Sequence, residues 1–231
     1  MEKYVNGGTL YVVATPIGNL ADITIRALGV LAEVDLIAAE DTRTSGVLLR
    51  HYNIATPATS FHIHNEAAKT PHLLARLEAG ESIALITDGG LPVISDPGFP
   101  LIRGCYAAGI PVCVIPGATA GMAALAISGI PARRAGFEGF LPTKKGRRAA
   151  ILENYANDER AIIIYESPHR LIATLTELHA HLGDRQAAAA RELTKKFEEI
   201  RQGSLTDLIQ HFQQTPPKGE FVLIISGKSK S

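Results

Sequence analysis

The chain is long enough for one large or two modest α/β domains. It has 231 residues, of which 46% are hydrophobic and 20% charged, and its formal net charge at pH 7 is zero, an ordinary globular balance. No apolar run approaches the length of a membrane span, and the N-terminus lacks the apolar core of a signal peptide, so we expect a cytoplasmic protein. Tryptophan is absent and aromatic residues make up 6%, which predicts few stacking surfaces for single-stranded nucleic acid.

Strand and helix patterns alternate through the first half of the chain. The spacing predicts strands at 9–16, 35–41, 58–64, 82–90 and 110–117, and helices at 24–34, 44–52, 71–80 and 99–109. This alternation predicts a mostly parallel sheet with helices on both faces. The apolar run at 112–115 indicates a strand buried on both sides. Pro71 is expected to start its helix and Gly80 to end it.

The second half has a different order of elements. A small-residue helix at 118–130 leads to a break near 130–136, so we predict an N-terminal α/β domain over 1–120, a linker with a helix over 121–135 and a C-terminal α/β domain over 136–231. Strands are predicted at 137–141, 160–167, 186–194, 197–204 and 220–227, and helices at 144–156, 169–183 and 205–212. The consecutive strand patterns across 186–203 predict a mixed sheet with an antiparallel part. The polar tail, 227–231, is predicted to be disordered.

Three Gly/Pro-rich loops follow predicted strands of the first half: ATPIGNL at 14–20, TDGGLPVISDPG at 87–98 and VIPGATAG at 114–121. Ligands of open α/β sheets bind beyond the carboxyl ends of the strands, so these loops predict one ligand site lined by main-chain groups. None of them matches a phosphate-binding glycine motif. Asp88 and Asp96 would repel a polyphosphate, although Asp96 could equally cap its own turn. A neutral or cationic ligand is favoured, and S-adenosylmethionine, with its sulfonium and ammonium groups, qualifies.

Conventional metal and acyl-transfer sites are not indicated. Cys105 and Cys113 are too few for a zinc site or a disulfide scaffold, and His62 and His64 form only a weak His-x-His pattern. The sequence contains no G-x-S-x-G motif. We therefore expect no bound metal.

Charge is distributed unevenly along the chain. Residues 1–118 contain 7 Lys/Arg and 11 Asp/Glu, a net charge of −4, and the remainder carries +4. Between 131 and 150, Glu138 is the one acidic residue among six cations: Arg133, Arg134, Lys144, Lys145, Arg147 and Arg148. Two interpretations stay open, a solvated surface or a patch that contacts phosphates and positions an RNA.

Short polar segments at the ends of other predicted strands contain titratable side chains. They contribute Glu40, Asp41 and Arg43, then Glu166, His169 and Arg170, and finally Arg191, Glu192, Thr194 and Lys195. Each segment alone is typical of a helix cap or an ion pair. Their shared placement at strand ends favours a position near a ligand for some of them.

Seven motifs occur in order along the chain: TPIGNLADITIRAL at 15–28, LIAAEDTR at 36–43, TDGGLPVISDPG at 87–98, IPGATA at 115–120, FEGFLP at 137–142, YESPHR at 165–170 and ARELTK at 190–195. Together they resemble the bacterial small-subunit rRNA (cytidine-2′-O)-methyltransferase I family of the tetrapyrrole-methylase superfamily. The resemblance implies two α/β domains with S-adenosylmethionine in the cleft between them. It also implies a homodimer that methylates a cytidine ribose in the decoding region of 16S rRNA in the small ribosomal subunit.

The resemblance also assigns residues to roles. The cofactor loops become Pro16, Ile17, Gly18 and Asn19, then Asp88, Gly89, Gly90, Leu91, Pro92, Val93, Ile94 and Ser95, then Pro116, Gly117, Ala118, Thr119 and Ala120. A second-domain wall is expected near Tyr165, Glu166, Arg191 and Gly219. Candidates for catalysis are Glu40, Glu166, Glu192 and Lys195, with no choice among them.

Two other functions stay open at this point. One is methylation of a tetrapyrrole or another small acceptor, and the other is a cofactor-binding protein without catalysis. The basic stretch at 131–150 favours RNA over the macrocycle. Neither DNA nor a membrane is expected as a partner.

Overall fold

The computed structural model describes residues 3–228, and the chain divides into two compact units. The first ends at Thr119 and the second begins at Ala120. Within 3–228, no helix is both long and apolar enough to cross a membrane.

The first unit is built on a five-stranded parallel sheet with strands β1 (Leu10–Val13), β2 (Leu36–Ala39), β3 (Ala58–Ser60), β4 (Ile83–Ile86) and β5 (Val112–Ile115). Their order across the sheet is β3-β2-β4-β1-β5. Its α-helices are α1 (Ile25–Glu33), α2 (Thr42–His51), α3 (Glu66–Glu78) and α4 (Phe99–Ala107), and a 3₁₀ turn spans Leu20–Asp22. The predicted parallel sheet is confirmed.

Alternation along the strands sends side chains into two cores. Val13 and Ile37 pack with Leu31 of α1 on one face, and Leu10 and Leu85 pack with helices α3 and α4 on the other. Helices therefore cover both faces, as predicted, because each strand buries successive residues on opposite sides.

Two predictions about this unit are wrong. The strand at 112–115 is not buried on both sides, because β5 is an edge strand and Val114 is 54% exposed. Pro71 lies inside α3 rather than at its start, since the helix already begins at Glu66. The segment before Pro71 contains good helix formers, and the Thr70 hydroxyl donates to the Glu66 carbonyl at 2.7 Å. Because proline lacks an N–H, the helix loses one main-chain hydrogen bond at Pro71, but it continues past this residue.

The second unit contains a mixed five-stranded sheet with strands β6 (Ala135–Phe140), β7 (Ala161–Glu166), β8 (Gln186–Arg191), β9 (Glu199–Ser204) and β10 (Phe221–Ile225). Their order across the sheet is β6-β7-β10-β8-β9. Its helices are α5 (Ala120–Ile127), α6 (Lys145–Tyr155), α7 (Leu171–Leu182) and α8 (Leu205–Gln214). β6 runs parallel to β7, and the other pairs are antiparallel, which confirms the mixed sheet.

Helices α6, α7 and α8 cover one face of this sheet and α5 lies on the other. Ile162 and Ile164 of β7 belong to the core built with the three helices, whereas Ile163 and Tyr165 lie beside Gly121 of α5. Because β6, β7 and β8 end where β10 begins, Phe140, Tyr165, Arg191 and Phe221 lie along one edge of the sheet. The predicted disordered tail falls mainly on 229–231, outside the described residues.

Candidate active site

Two of the three Gly/Pro-rich loops are joined by main-chain hydrogen bonds at the carboxyl ends of β1 and β4. The Thr15 amide donates to the Gly90 carbonyl at 2.9 Å, and the Gly90 amide donates to the Thr15 carbonyl at 3.0 Å. The Thr15 hydroxyl adds a bond to the Thr87 carbonyl at 3.0 Å. This backbone pairing fixes the position of one loop against the other.

The loop after β5 approaches the same place. A Cβ atom on Gly90 would lie 3.5 Å from Cγ2 of Ile17 and 3.7 Å from the carbonyl oxygen of Ala118. Gly117 lies against Ala14, where an added Cβ would come within 2.9 Å of the alanine side chain. Strands β4, β1 and β5 are neighbours, so the three loops meet at one edge of the parallel sheet.

The loop after β4 holds unusual backbone conformations. Val93 and Ser95 have φ values of 75° and 72°, and Gly90 has a φ of 97°. A β-branched residue at positive φ is strained, by about 1–3 kcal/mol. Val93 packs against the hydrophobic core, and the Gly98 amide donates to Oε2 of Glu66 at 3.0 Å. The loop is therefore held in a conformation that its sequence does not prefer.

Acidic side chains gather where β2 and β4 end. The Thr87 hydroxyl donates to Oε2 of Glu40 at 2.5 Å, and the Asp88 amide approaches the same oxygen at 3.3 Å. Burial, followed by the charge of Glu40, raises the pKa of Asp88. Burial also raises the pKa of Asp96, and its value is about 6 although a hydrogen bond with Thr87 acts in the opposite direction. These carboxyl groups give the site a negative field that favours a cation.

Asp41 and Asn19 have structural roles at the rim. Asp41 caps α2 and binds Arg43 at 2.7 Å, and this hydrogen bond lowers the pKa of Asp41 to about 2. The Asn19 side chain accepts from the Ala21 amide at 3.1 Å and so caps the 3₁₀ turn. Within the segments 16–19, 88–95 and 116–120 there is no lysine or arginine.

Glu166 is engaged inside the second unit. Its carboxylate is buried and accepts from the Ser167 amide at 2.8 Å and from the Thr174 hydroxyl at 2.6 Å, with Arg170 at 3.5 Å. It lies on the face covered by α7, opposite Tyr165. We therefore assign Glu166 to the start of α7 and remove it from the catalytic candidates.

The turn after β8 brings the other second-unit candidates together. Glu192 Oε1 accepts from the Glu220 amide at 2.9 Å and from Nζ of Lys195 at 3.0 Å. Gly219 has a φ of 83°, and a Cβ there would lie 2.5 Å from Cγ of Glu192, so glycine is required for this contact. Arg191 binds Glu199 at 2.9 Å, while its Nε and the Thr194 hydroxyl are buried without a partner among the described residues.

Five of the six predicted RNA-contacting cations are exposed: Arg133, Arg134, Lys144, Lys145 and Arg147. Arg148 is different, because it is 8% exposed and its guanidinium binds Glu177 and the Pro142 carbonyl. Arg148 lies on the same face of α6 as the buried Leu152 and Tyr155, and this face packs towards α7. Arg148 is therefore assigned to the fold and not to an RNA surface.

Sequence reasoning missed the two threonines. Thr15 and Thr87 are buried, and their hydroxyl groups link the loop after β1 to Glu40 and the loop after β4. A hydroxyl residue within two positions of the end of a buried strand was the available signal. Within residues 3–228, no group of three or more His, Cys, Asp or Glu side chains is arranged to hold a metal.

Comparison with known proteins gives consistent matches. The sequence-family model for the tetrapyrrole (corrin/porphyrin) methylases matches residues 9–209. Ribosomal RNA small subunit methyltransferase I of Synechocystis sp. is 54% identical over 95% of this chain and 79% of its own length. The Haemophilus influenzae protein of the same name is 52% identical over 97% and 80%, and the Streptococcus pyogenes serotype M1 protein is 47% identical over 95% and 77%.

Solved structures share the fold at lower identity. Diphthine synthase matches with a TM-score of 0.73 at 12% identity, covering 96% of this chain and 91% of that one. Uroporphyrin-III-C-methyltransferase from Thermus thermophilus matches with a TM-score of 0.65 at 21% identity, covering 94% of each chain. With a family model over most of the chain and relatives about half identical to it, the chain belongs to the tetrapyrrole methylases and, within them, to the ribosomal RNA small subunit methyltransferase I family.

Proposed function

We propose that this methyltransferase uses S-adenosylmethionine to methylate the 2′-hydroxyl of a cytidine ribose in 16S rRNA. The observation that carries the proposal is the meeting of three main-chain-lined loops beside an acidic group, at the carboxyl edge of the first sheet. The curated relatives named for small-subunit rRNA supply the acceptor class.

The loops fit the cofactor in shape and charge. Gly89 and Gly90 leave main-chain donors and acceptors accessible, and the Thr15–Gly90 hydrogen bonds hold the backbone in place. The lack of a cation in segments 16–19, 88–95 and 116–120 suits a ligand without phosphate groups. Asp88 and Asp96 favour a ligand with positive charge. When bound, the cofactor supplies a methyl group activated by a sulfonium.

The remaining task of the protein is to place a ribose hydroxyl for in-line attack and to assist loss of its proton. Holding the ribose oxygen about 3–3.5 Å from the methyl carbon lowers the barrier by orientation alone, and a base or a polarising cation contributes roughly 10²–10⁴-fold. Glu40 is the candidate base of the first unit. In the second unit, burial lowers the pKa of Lys195, but hydrogen bonds with Glu220 and Glu192 raise it overall.

Lys195 is therefore charged at neutral pH, and Glu192 holds it in place. The hydrogen bond from the Glu220 amide, aided by Lys195, lowers the pKa of Glu192, which makes this carboxylate a weak base. We assign Lys195 to stabilisation of the developing alkoxide or to contact with a phosphate.

The protein would act as a homodimer in the cytoplasm, where its ribosomal substrate is found. Edge strand β5 and the start of α1 support the dimer, because Val114 and Ile25 are 54% and 81% exposed. Arg26 lies 3.6 Å from Sγ of Cys113, so these two elements are adjacent. An apolar edge strand is a favourable place for pairing with a second copy. Light scattering of the wild type and Val114→Lys tests this, since the variant should be monomeric.

Transfer of labelled methyl groups tests the function. Small subunits from cells that lack the protein should accept the label at a cytidine 2′-oxygen, which nuclease digestion and mass spectrometry identify. Label on a tetrapyrrole but not on RNA would replace the proposal with small-acceptor methylation. Tight cofactor binding without transfer to either acceptor would indicate a binding protein.

A further inference from the structure

Strand β6 contains a β-bulge that changes the direction of its side chains. Its register with β7 pairs Phe137 with Ile163 and then Phe140 with Tyr165, with the shift between Phe137 and Gly139. Residues three apart on a regular strand point to opposite faces. The extra residue, Glu138, places both phenylalanines on the face that carries Tyr165.

The result is a cluster of three aromatic rings, Phe137, Phe140 and Tyr165. Their centroids lie 5.2 Å apart for Phe137 and Tyr165 and 5.6 Å apart for Phe140 and Tyr165, both in edge-to-face geometry. The Tyr165 hydroxyl accepts from the Gly121 amide at 3.1 Å, which fixes the central ring. Phe137 and Phe140 are nevertheless 43% and 58% exposed.

Positive charge lies on both sides of this aromatic cluster in the sequence. Arg133 and Arg134 directly precede β6, and Lys144, Lys145 and Arg147 follow it closely. All five are exposed, and none forms an ion pair with a carboxylate within residues 3–228. Glu138 points away, because it accepts a hydrogen bond from Tyr155, which belongs to the core on the opposite face.

We propose that the aromatic cluster is a stacking surface for an unpaired base of the RNA substrate, with the flanking cations on the adjoining phosphates. The inference rests on the proposed function and adds a binding site to it. Exposed rings beside a positive groove are the common way to hold single-stranded RNA, since bases offer apolar faces and the backbone is anionic. Aromatic residues are scarce in the whole chain, as the composition indicates, but three of them lie together on this strand pair.

A second copy of the chain fits this surface poorly. A symmetric dimer through the aromatic cluster would bring the same patch of each copy together and so place the five cations of one beside those of the other. Like charges in contact disfavour that arrangement, whereas an RNA strand neutralises them. Charge complementarity therefore favours RNA as the occupant.

Substitutions of Phe140 test the stacking surface. Phe140→Leu keeps apolar volume without a ring, and Phe140→Trp keeps a ring, so the two variants separate stacking from packing. We expect Phe140→Leu to raise the KM for small subunits about 5- to 100-fold, and Phe140→Trp to have a KM close to that of the wild type. The fluorescence of a single-stranded oligoribonucleotide that carries pyrrolocytidine should be quenched by the wild type and by Phe140→Trp but not by Phe140→Leu. The Kd for S-adenosylmethionine should be unchanged in both Phe140 variants. Tyr106→Ala, which removes an exposed aromatic ring of the first unit, serves as the control and should behave like the wild type.

The outcomes separate the two proposals. If the wild type methylates the subunit and Phe140→Leu and Phe140→Trp behave alike, the stacking surface is rejected while the function stands. A fall in cofactor affinity, or a change in oligomeric state by light scattering, would also reject it. If wild type transfers no methyl group to RNA, both proposals are lost.

Discussion

Among single residues, Gly90 has the clearest predicted effect. Its φ of 97° strains any side chain placed there, and a Cβ atom would already be in van der Waals contact with Ile17 and Ala118, so the methyl groups of a valine would lie between the loops that carry these two residues. We expect Gly90→Val to abolish binding of S-adenosylmethionine in calorimetry. Gly80 has a φ of 94° with open space around its Cβ position, so Gly80→Val carries the same backbone strain without filling the site.

This control separates lost stability from lost binding. Both variants should lose about 1–3 kcal/mol of stability from the backbone conformation, but Gly80→Val should retain wild-type affinity. Wild-type affinity in a folded Gly90→Val protein would show that the cofactor does not lie against this loop.

Asp96 makes stability depend on pH. Its folded-state pKa, about 6, lies above the ordinary value of 3.8, so the folded protein binds more protons than the unfolded chain between these values. Its contribution to stability is therefore complete below pH 4 and is lost as pH rises through 6. Asp96→Asn should be more stable by about 1 kcal/mol at pH 7.5, allowing for partial exposure.

Urea unfolding of both proteins across pH 4–8 measures this difference, which should shrink towards zero at the acidic end. An advantage of equal size at all pH values would mean that the asparagine acts through packing and not through charge.

At the scale of elements, the start of α6 contains both exposed and buried basic residues. Charge reversal of Lys144, Lys145 and Arg147 should raise the KM for small subunits and leave cofactor affinity and stability unchanged, because these side chains are exposed. Arg148→Ala should instead lower the free energy of unfolding by roughly 1–3 kcal/mol, since it removes a buried guanidinium from the partly exposed Glu177.

Subunit methylation and thermal unfolding, measured on both variants, distinguish the two effects. Unchanged KM in the triple variant would show that the exposed cations are a solvated surface.

The order and type of the elements were predictable from periodicity. Strand β1 with its buried LYVV and helix α1, capped by Thr24, follow the period-2 and period-3.6 patterns closely. The edge position of β5 was not predictable, because an apolar tetrapeptide gives no information about its place in the sheet. Local pattern likewise could not predict that Pro71 lies inside α3.

The site was predictable in part. Glycine and proline content indicated the loops that meet at Gly90, since glycine permits backbone angles that other residues avoid and proline fixes φ. Side-chain roles were not predictable, because the roles of Glu166 and Arg148 depend on partners on helix α7, Thr174 and Glu177, that no local pattern identifies. The bulge at Glu138 was also hidden, as no sequence period marks a change of register.

At the scale of the whole molecule, charge is balanced overall but divided between the units. The chain has 23 cationic and 23 acidic residues, and the excess of cations belongs to the second half. A neutral protein gains little from long-range attraction to RNA, so shape must supply the remaining affinity.

We therefore expect a short RNA hairpin with the target sequence to be methylated much more slowly than the assembled small subunit. Rates measured on both substrates at two salt concentrations test this. Equal rates would show that the local RNA strand contains everything that the enzyme recognises.

The hydrogen bonds between Thr15 and Gly90 have a consequence for mutational studies. Both join main-chain atoms, and alanine substitution leaves main-chain donors and acceptors intact. An alanine scan of these loops would score most positions as neutral and would direct attention to the charged residues at the rim. Insertion, deletion or proline substitution changes the backbone itself, so libraries of that kind would map the site that side-chain truncation overlooks.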